Sequence, residues 1–484
     1  MMRTSIVSVV WGPWHVEQLV TVNLPTFLSH GNLPTYAKAN PVTFELHTTR
    51  QDAARILACE AYERIAELVT VRLLELEESR ISDPIATHHR IWREATERAR
   101  RARALIFFLP PDVVWADGSL AALDRRIREG KTAIYNMYLR VISESFVPDL
   151  LASCVSRNGS LAVESTRLVD LALRHLHPLT FCYAPQGGRI PSHSEFLVWS
   201  AAGRGVLVTL LARELLVFDP RQVRLNENAL IEEGADPERV CVLTDSREFC
   251  AMSLAPMWQD ASWYRRSQPY DPVRIASWWL RYDSPLNDYL ASHPIRFWGS
   301  RCTSEDWASV ATEQERTVTE IRALREILRV HEVLKALGFS RAGELFQTLL
   351  SDPEVAAGWD PDLGGTLLVP TDSAFDAYRG AGEAGESGDL RHPLRVLQLL
   401  QRHRLVESLE FWPPWDVREG ASIRRQRTSV RNALGDPIEI GRDRHAPTVA
   451  GVPLAGYGLR VGKTRIYPIG GVLRRPADAE MGPH

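Results

Sequence analysis

Apolar residues along this chain fall first in a short block and then in a periodic stripe. Residues 6–11 (I-V-S-V-V-W) are a mostly β-branched run that stops at Gly12-Pro13, which predicts a buried strand feeding a turn. Val16, Leu19, Val20, Asn23, Leu24, Phe27 and Leu28 then recur at helical spacing, so a core-facing helix is expected next. The alternation continues with a strand at 42–46, a helix near 51–61, a strand at 68–74, a polar helix over 86–103 and an apolar run at 104–109. Strands alternating with helices predict an α/β layer with a mostly parallel sheet. Ligands of such sheets lie beyond the carboxyl ends of the strands, where Gly12 and Asp112 are expected.

Residues 119–130 predict a helix with Leu120, Leu123 and Ile127 on one face and Gly130 as its left-handed stop. A strand is expected over 132–141, helices near 161–176 and 274–281, and a strand at 240–243. The first domain is expected over 1–305, followed by a charged linking helix within 306–336. Beyond it, short strand candidates separated by Gly and Pro predict a second, β-rich domain over 337–476, with a Gly/Glu-rich loop at 380–389 and a loose tail at 477–484.

At 484 residues the chain is well beyond the roughly 100–150 of a typical domain, in keeping with two units. A formal charge of −3 gives no general electrostatic reason to bind nucleic acid or an anionic membrane. The arginine-rich run at 93–103 includes glutamates and reads as a solvated helix face, so no nucleic-acid partner is expected. Six scattered cysteines with no C-x-x-C pair predict reduced thiols. No stretch approaches the roughly 20 apolar residues of a membrane span, and the start carries no secretory pattern. A cytoplasmic location without a transmembrane segment is therefore expected.

The stretch F-F-L-P-P-D-V-V-W-A-D-G-S-L at 107–120 brings Asp112 and Asp117 to the end of an apolar strand. Two carboxylates on one rim suit Mg or Mn bridging a nucleotide diphosphate. Asp117 reads equally as a turn residue or helix cap, a role Ser119 also fits. Asp245 and Glu248, just past V-C-V-L-T, fit either a catalytic base or a capping box. The stretch 175–200 gathers His175, His177, His193, Glu195 and Trp199 around a Gly-Gly pair, a mixture that suits sugar recognition; its spacing fits no zinc motif. Phosphate-loop, dinucleotide-fold, nucleophile-elbow and kinase motifs are absent from the sequence.

With these residues in view, the first 300 or so positions resemble a bacterial GT-A-type glycosyltransferase-like domain. The resemblance is carried by V-S-V-V-W-G at 7–12, N-L-P-T-F-L and G-N-L-P in the first crossover, P-D-V-V-W-A-D-G-S-L at 111–120, His177-Pro178, S-H-S-E-F-L-V-W and T-D-S-R-E-F at 244–249. It implies a Rossmann-like GT-A mixed sheet flanked by helices, a nucleotide-sugar donor and a glycan or protein acceptor. Donor-binding residues implied are Trp11, Gly12, Asp112, Asp117, Arg140, His193 and Trp199, with Asp245, Glu248 and Glu195 as candidate catalytic residues. A divalent metal, Mn or Mg, is implied on Asp112 and Asp117, although four residues separate them where the D-x-D pattern has one. The rival reading is a non-catalytic carbohydrate- or protein-binding scaffold, because Arg247 stands where the acidic D-S-D-E run has a carboxylate. The later part resembles a smaller β-rich (α+β) fasciclin-like domain through G-T-L-L-V-P-T-D-S-A-F at 365–375, L-L-Q-R-H-R-L-V at 399–406 and T-R-I-Y-P-I-G-G-V-L at 464–473. That resemblance implies a module for protein or glycan contact.

Overall fold

The structure, a computed structural model, describes residues 2–77, 81, 83–154, 156–185, 189–190, 195–212, 215–225, 231–233, 237–257, 268–280, 285–359, 365–380, 390–407, 409, 428–442, 447–455, 459–461 and 464–473. His193, most of the Gly/Glu-rich loop expected at 380–389 and all of 477–484 lie outside the described residues. The chain divides into two compact units, 1–270 with 282–314, and 271–281 with 315–484.

The first unit is mixed α/β. Its strands include β1 (Arg3–Val9), β2 (Val42–Thr49), β3 (Thr70–Leu76), β4 (Ala104–Phe108), β5 (Val113–Trp115), β6 (Ala133–Tyr135), β7 (Leu139–Ile142), β8 (Leu215–Phe218), β9 (Val240–Val242) and β10 (Ala251–Ala255). Seven of these form a mixed sheet in the order β9-β6-β8-β4-β1-β2-β3. Only β8 runs antiparallel to its neighbours; the other pairings are parallel. A smaller sheet has the order β5-β10-β7, with β10 antiparallel to β5 and parallel to β7. Phe196–Ser200, Gly205–Leu210 and Ile295–Trp298 form a third, antiparallel sheet.

Helices flank the main sheet: α1 (Pro13–Gln18), α2 (Leu24–Phe27), α3 (Leu33–Ala39), α4 (Arg50–Leu57), α5 (Glu60–Leu68), α6 (Pro84–Arg101) and α7 (Ser119–Arg128). Successive strand residues point to opposite faces, so one face takes Val7, Val9 and Ile106 and the other Ile6, Leu105 and Phe107. Both faces are covered, which is why β1 and β4 read as nearly unbroken apolar runs. Ile91, Ala95 and Ala99 of α6 join the first core; Val16, Phe27, Phe44 and Trp115 join the second. Trp115 is fully buried among Phe27, Phe107, Tyr138 and Phe249.

Three elements differ from the sequence expectation. The helix over 16–28 widens into a π-helical turn at Leu19–Asn23, which sets the buried Asn23 against the loop after β4. The helix near 51–61 ends at Leu57 and restarts at Glu60, where the Cys59 sulfur accepts from the Tyr62 amide. The strand expected over 132–141 becomes β6 and β7, which belong to different sheets. At the break Asn136 donates to the Leu243 carbonyl at 2.8 Å.

In the second unit, Arg404–Leu405, Gly365–Pro370, Thr464–Ile469 and Leu459–Val461 form one four-stranded sheet in that order. Thr428–Arg431, Pro437–Arg442, Pro447–Val449 and Val452–Pro453 form another. Helices Ser340–Leu350, Asp372–Gly380 and Pro393–Arg402 accompany them, so the described part is α+β. Helix Ser304–Ala336 carries the chain from one unit to the other. Among the described residues no helix is long and apolar enough to cross a membrane.

His403 is buried at the end of Pro393–Arg402. Its Nε2 accepts from the Leu473 amide at 3.0 Å, so Nδ1 carries the proton donated to the Leu399 carbonyl at 2.9 Å. Burial brings its pKa down to about 4. The unfolded chain binds this proton at about pH 6.5. Stability from neutral His403 is therefore complete above that pH and is lost as pH falls towards 4, by about 3 kcal/mol in all. Chemical denaturation of the chain across this range checks it in the transition of the second unit. In the first unit, Trp115→Ala is expected to cost about 3–5 kcal/mol, read as a lowered denaturation midpoint.

Candidate functional site

From β1 the chain moves outward to β2 and β3, then returns to β4 on the other side of β1. This is the point where strand order reverses, and α/β sheets bind ligands beyond the carboxyl ends of the strands there. A cavity of about 730 Å3 occupies that place. It is lined by Val9–Trp11 after β1, Leu109–Asp112 after β4, His15 of α1, the first turns of α6 and Arg140 of β7.

Each wall has a local cause. Gly12 sits at φ 84° and ψ 147°, a region essentially reserved for glycine, so the chain can leave β1 sharply. Its amide donates to Asp52 Oδ2 at 2.9 Å. Asp52 Oδ2 also accepts from the Thr49 hydroxyl, whose oxygen caps α4 through the Asp52 amide at 3.2 Å. The T-x-x-D spacing at 49–52 is a helix-start signature that marks this pair in the sequence.

At α6, the Asp83 carboxylate caps the amides of Ile85 and Ala86, and Pro84 occupies the first turn. That start orients His88, whose Nδ1 lies 3.0 Å from the Pro84 carbonyl. The His88 ring centroid is 4.6 Å from that of Trp11, and Trp92 stacks on Phe108 at 4.8 Å. Burial is the largest influence on His88 and lowers its pKa. The sequence reading does not single out His15, His88 or Trp92; the four-residue spacing of His88 and Trp92 on one helix face is the signal that could have found those two.

Asp112 supplies the carboxyl of the cavity. Burial raises its pKa, and the positive charges of His15, Arg140 and His88 partly offset that. Its carbonyl accepts from the Leu254 amide at 2.7 Å. Ser253 of β10 is the register partner of both Val113 and Arg140, so the small sheet holds the backbones beside Asp112 and Arg140 in fixed relation.

Asp117 is elsewhere. It is exposed, it does not line the cavity, and its Oδ1 accepts from the Gly31 amide at 2.7 Å. The three residues of β5 alone separate it from Asp112 by ~10 Å of extended chain, whereas both ligands of one ion must lie within about 2.6 Å of it. The structure therefore does not bring the two carboxylates implied as metal ligands to one cavity. Among the described residues no group of three or more His, Cys, Asp or Glu side chains is arranged to hold a metal. Nor does Asp117 or Ser119 cap α7: Gly118 takes the cap position at φ 88°, and the Ser119 hydroxyl donates to the Cys250 carbonyl at 3.0 Å.

The other expected site residues do not line this cavity either. Asp245 accepts from the Arg247 amide at 2.9 Å and from its guanidinium at 3.0 Å, in a turn with no helix to cap. Glu248 pairs with Arg125 at 3.0 Å and Arg126 at 2.8 Å. Glu195 is exposed, with its carbonyl accepting from the Leu211 and Ala212 amides. Trp199 is buried in Phe196–Ser200. Trp11, Asp112 and Arg140 come together around the cavity, with Gly12 at its border. A smaller cavity of about 220 Å3 beside β3 and α6 is lined by charged groups, of which Arg90 and Glu94 pair at 3.1 Å.

No protein-family model matches this sequence, and no curated protein matches it. Among solved structures, S. aureus TarS is similar at 13% identity and a TM-score of 0.20, over 29% of this chain and 22% of that chain. The shared region is thus under a quarter of TarS. The mannosyltransferase PcManGT from Pyrobaculum calidifontis, solved in complex with GDP-Man and Mn2+, is similar at 10% identity and a TM-score of 0.24, over 73% of this chain and 85% of that chain. At such TM-scores neither similarity bears on what this chain does, and the site is read from its own residues.

Two outcomes follow from this geometry. Because folding raises the Asp112 pKa, its ionised form weakens the fold above the ordinary carboxylate range. Asp112→Asn is therefore expected to be more stable than the parent chain at pH 7, with the difference vanishing below about pH 4, in thermal unfolding across pH. Gly12→Ala is expected to lose about 1–3 kcal/mol in chemical denaturation, since alanine must adopt the glycine-only conformation.

Proposed function

We propose that the first unit is a glycosyltransferase domain that takes a nucleotide-sugar donor and transfers its sugar to a glycan or protein acceptor. The observation that carries this reading is the cavity at the β1/β4 switch point, where an aromatic wall of Trp11, His88 and Trp92 meets a polar end of Asp112, Arg140 and His15. Flat rings suit the base and sugar faces of such a donor, and cationic groups suit its diphosphate. The mixed sheet flanked by helices is compatible with this class of fold.

In this reading Trp11 and His88 hold the base, Arg140 faces the phosphates, and Asp112 takes the proton from the acceptor hydroxyl. A carboxyl lifted towards neutral pH is a better general base than an ordinary one. Rate enhancement then comes from holding donor and acceptor in line and from stabilising the departing diphosphate. The second unit is read as a contact module for protein or glycan. Its support is the 365–375 box, where the Thr371 hydroxyl accepts from the Ala374 amide at the start of Asp372–Gly380.

A second reading, a non-catalytic binding scaffold, is favoured by the arginine pairing of Asp245 and Glu248, which neutralises two candidate bases. Thermal unfolding of the full chain with UDP-, GDP- and CDP-sugars, followed by an assay of donor hydrolysis and transfer, separates the two. A donor at 100 times its Kd stabilises by about 2.7 kcal/mol. Stabilisation with turnover, both lost in Trp11→Ala, is the expected result. Stabilisation without turnover, or none with any donor, supports the scaffold.

A further inference from the structure

We infer that the cavity binds the diphosphate of its donor without a divalent ion, Arg140 supplying the counter-charge and His15 a ring N–H donor. The inference rests on the donor-site reading given above. A metal that bridges protein and diphosphate is held on the protein side by one or two carboxylates. Asp112 is the single carboxylate lining the cavity among the described residues. The other acidic groups at the strand ends already have partners: Asp117 has the Gly31 amide, Asp245 has Arg247, and Glu248 has Arg125 and Arg126. None of these three lines the cavity.

Groups that can bind phosphate oxygens, by contrast, already line the cavity. Arg140 and His15 are both exposed there, and both act on the Asp112 carboxyl. The backbone of Arg140 is fixed by its register with Ser253, which also pairs with Val113, the residue after Asp112. A guanidinium binds phosphate oxygens in pairs, and an imidazole ring donates from its N–H. Fixed donors of this kind supply the charge stabilisation that an ion gives elsewhere.

The test is titration of the full chain with UDP-, GDP- and CDP-sugars, in buffer with EDTA and in buffer with MnCl2 or MgCl2. The donor that binds is expected to have the same Kd in both. Arg140→Ala and His15→Ala are each expected to weaken it about tenfold in both, with thermal midpoints unchanged because both side chains are exposed. Asp117→Asn should leave the affinity as it is. A tenfold or greater tightening by metal, abolished in Asp112→Asn, overturns the inference and leaves the donor site standing. Binding of no donor in either buffer overturns both.

Discussion

The amide of Asn23 donates to two carbonyls, Pro110 at 2.9 Å and Val113 at 2.7 Å, with the side chain fully buried. Those carbonyls flank Pro111 and Asp112, so one side chain fastens the loop on which the cavity's carboxyl sits. The fastening needs the π-helical turn at Leu19–Asn23; a regular α-helix would rotate Asn23 by part of a turn. A buried amide is costly unless bonded, so the loop and the turn stabilise one another. The same crossover adds a similar tie: Asn32 donates to the carbonyls of Thr26 and Ala116 and accepts from the Leu120 amide.

These ties rest on a sheet whose two faces are both apolar. Because β1 and β4 are covered on either side, their ends cannot shift without disturbing both cores, and the residues that follow them hold their positions. The cavity is thus built from fixed chain ends: Gly12 bonded to Asp52, Pro110 and Val113 bonded to Asn23, and α6 started by Asp83. Its electrostatic character follows from depth. Burial lifts Asp112 and lowers His88, since in each case it disfavours the charged form.

The acidic residues show how a carboxylate's role depends on its surroundings. Asp112, Asp117, Asp245 and Glu248 all follow or flank strands, and in sequence they look alike. One faces a cavity, one closes a loop on Gly31 and two are paired with arginine. Gly31 approaches Gly118 so closely that a Cβ there would come within 2.6 Å of the Gly118 nitrogen, whereas Gly118 is set by its left-handed φ of 88°. Arg247, besides binding Asp245, lies 4.2 Å over the Trp298 ring and is held in place by both.

The sequence by itself determined the alternation of β1 to β4 with the helices between them, the strand ends at Gly12 and Asp112, and the turn glycines 118 and 130. Those features are local: apolar periodicity, β-branched runs and left-handed positions are set within a few residues. It also displayed Asn23 on an apolar stripe and the T-x-x-D start of α4, without naming their partners. Tertiary structure decided what the carboxylates face, that 132–141 serves two sheets, and that histidines of α1 and α6 join Trp11 around one cavity. Partners such as Asn23 and Pro110, or Asp117 and Gly31, lie 87 and 86 residues apart, and no short-range pattern encodes such a pairing. Only packing brings them within hydrogen-bond distance, and a carboxylate's pKa and role depend on what packing leaves beside it.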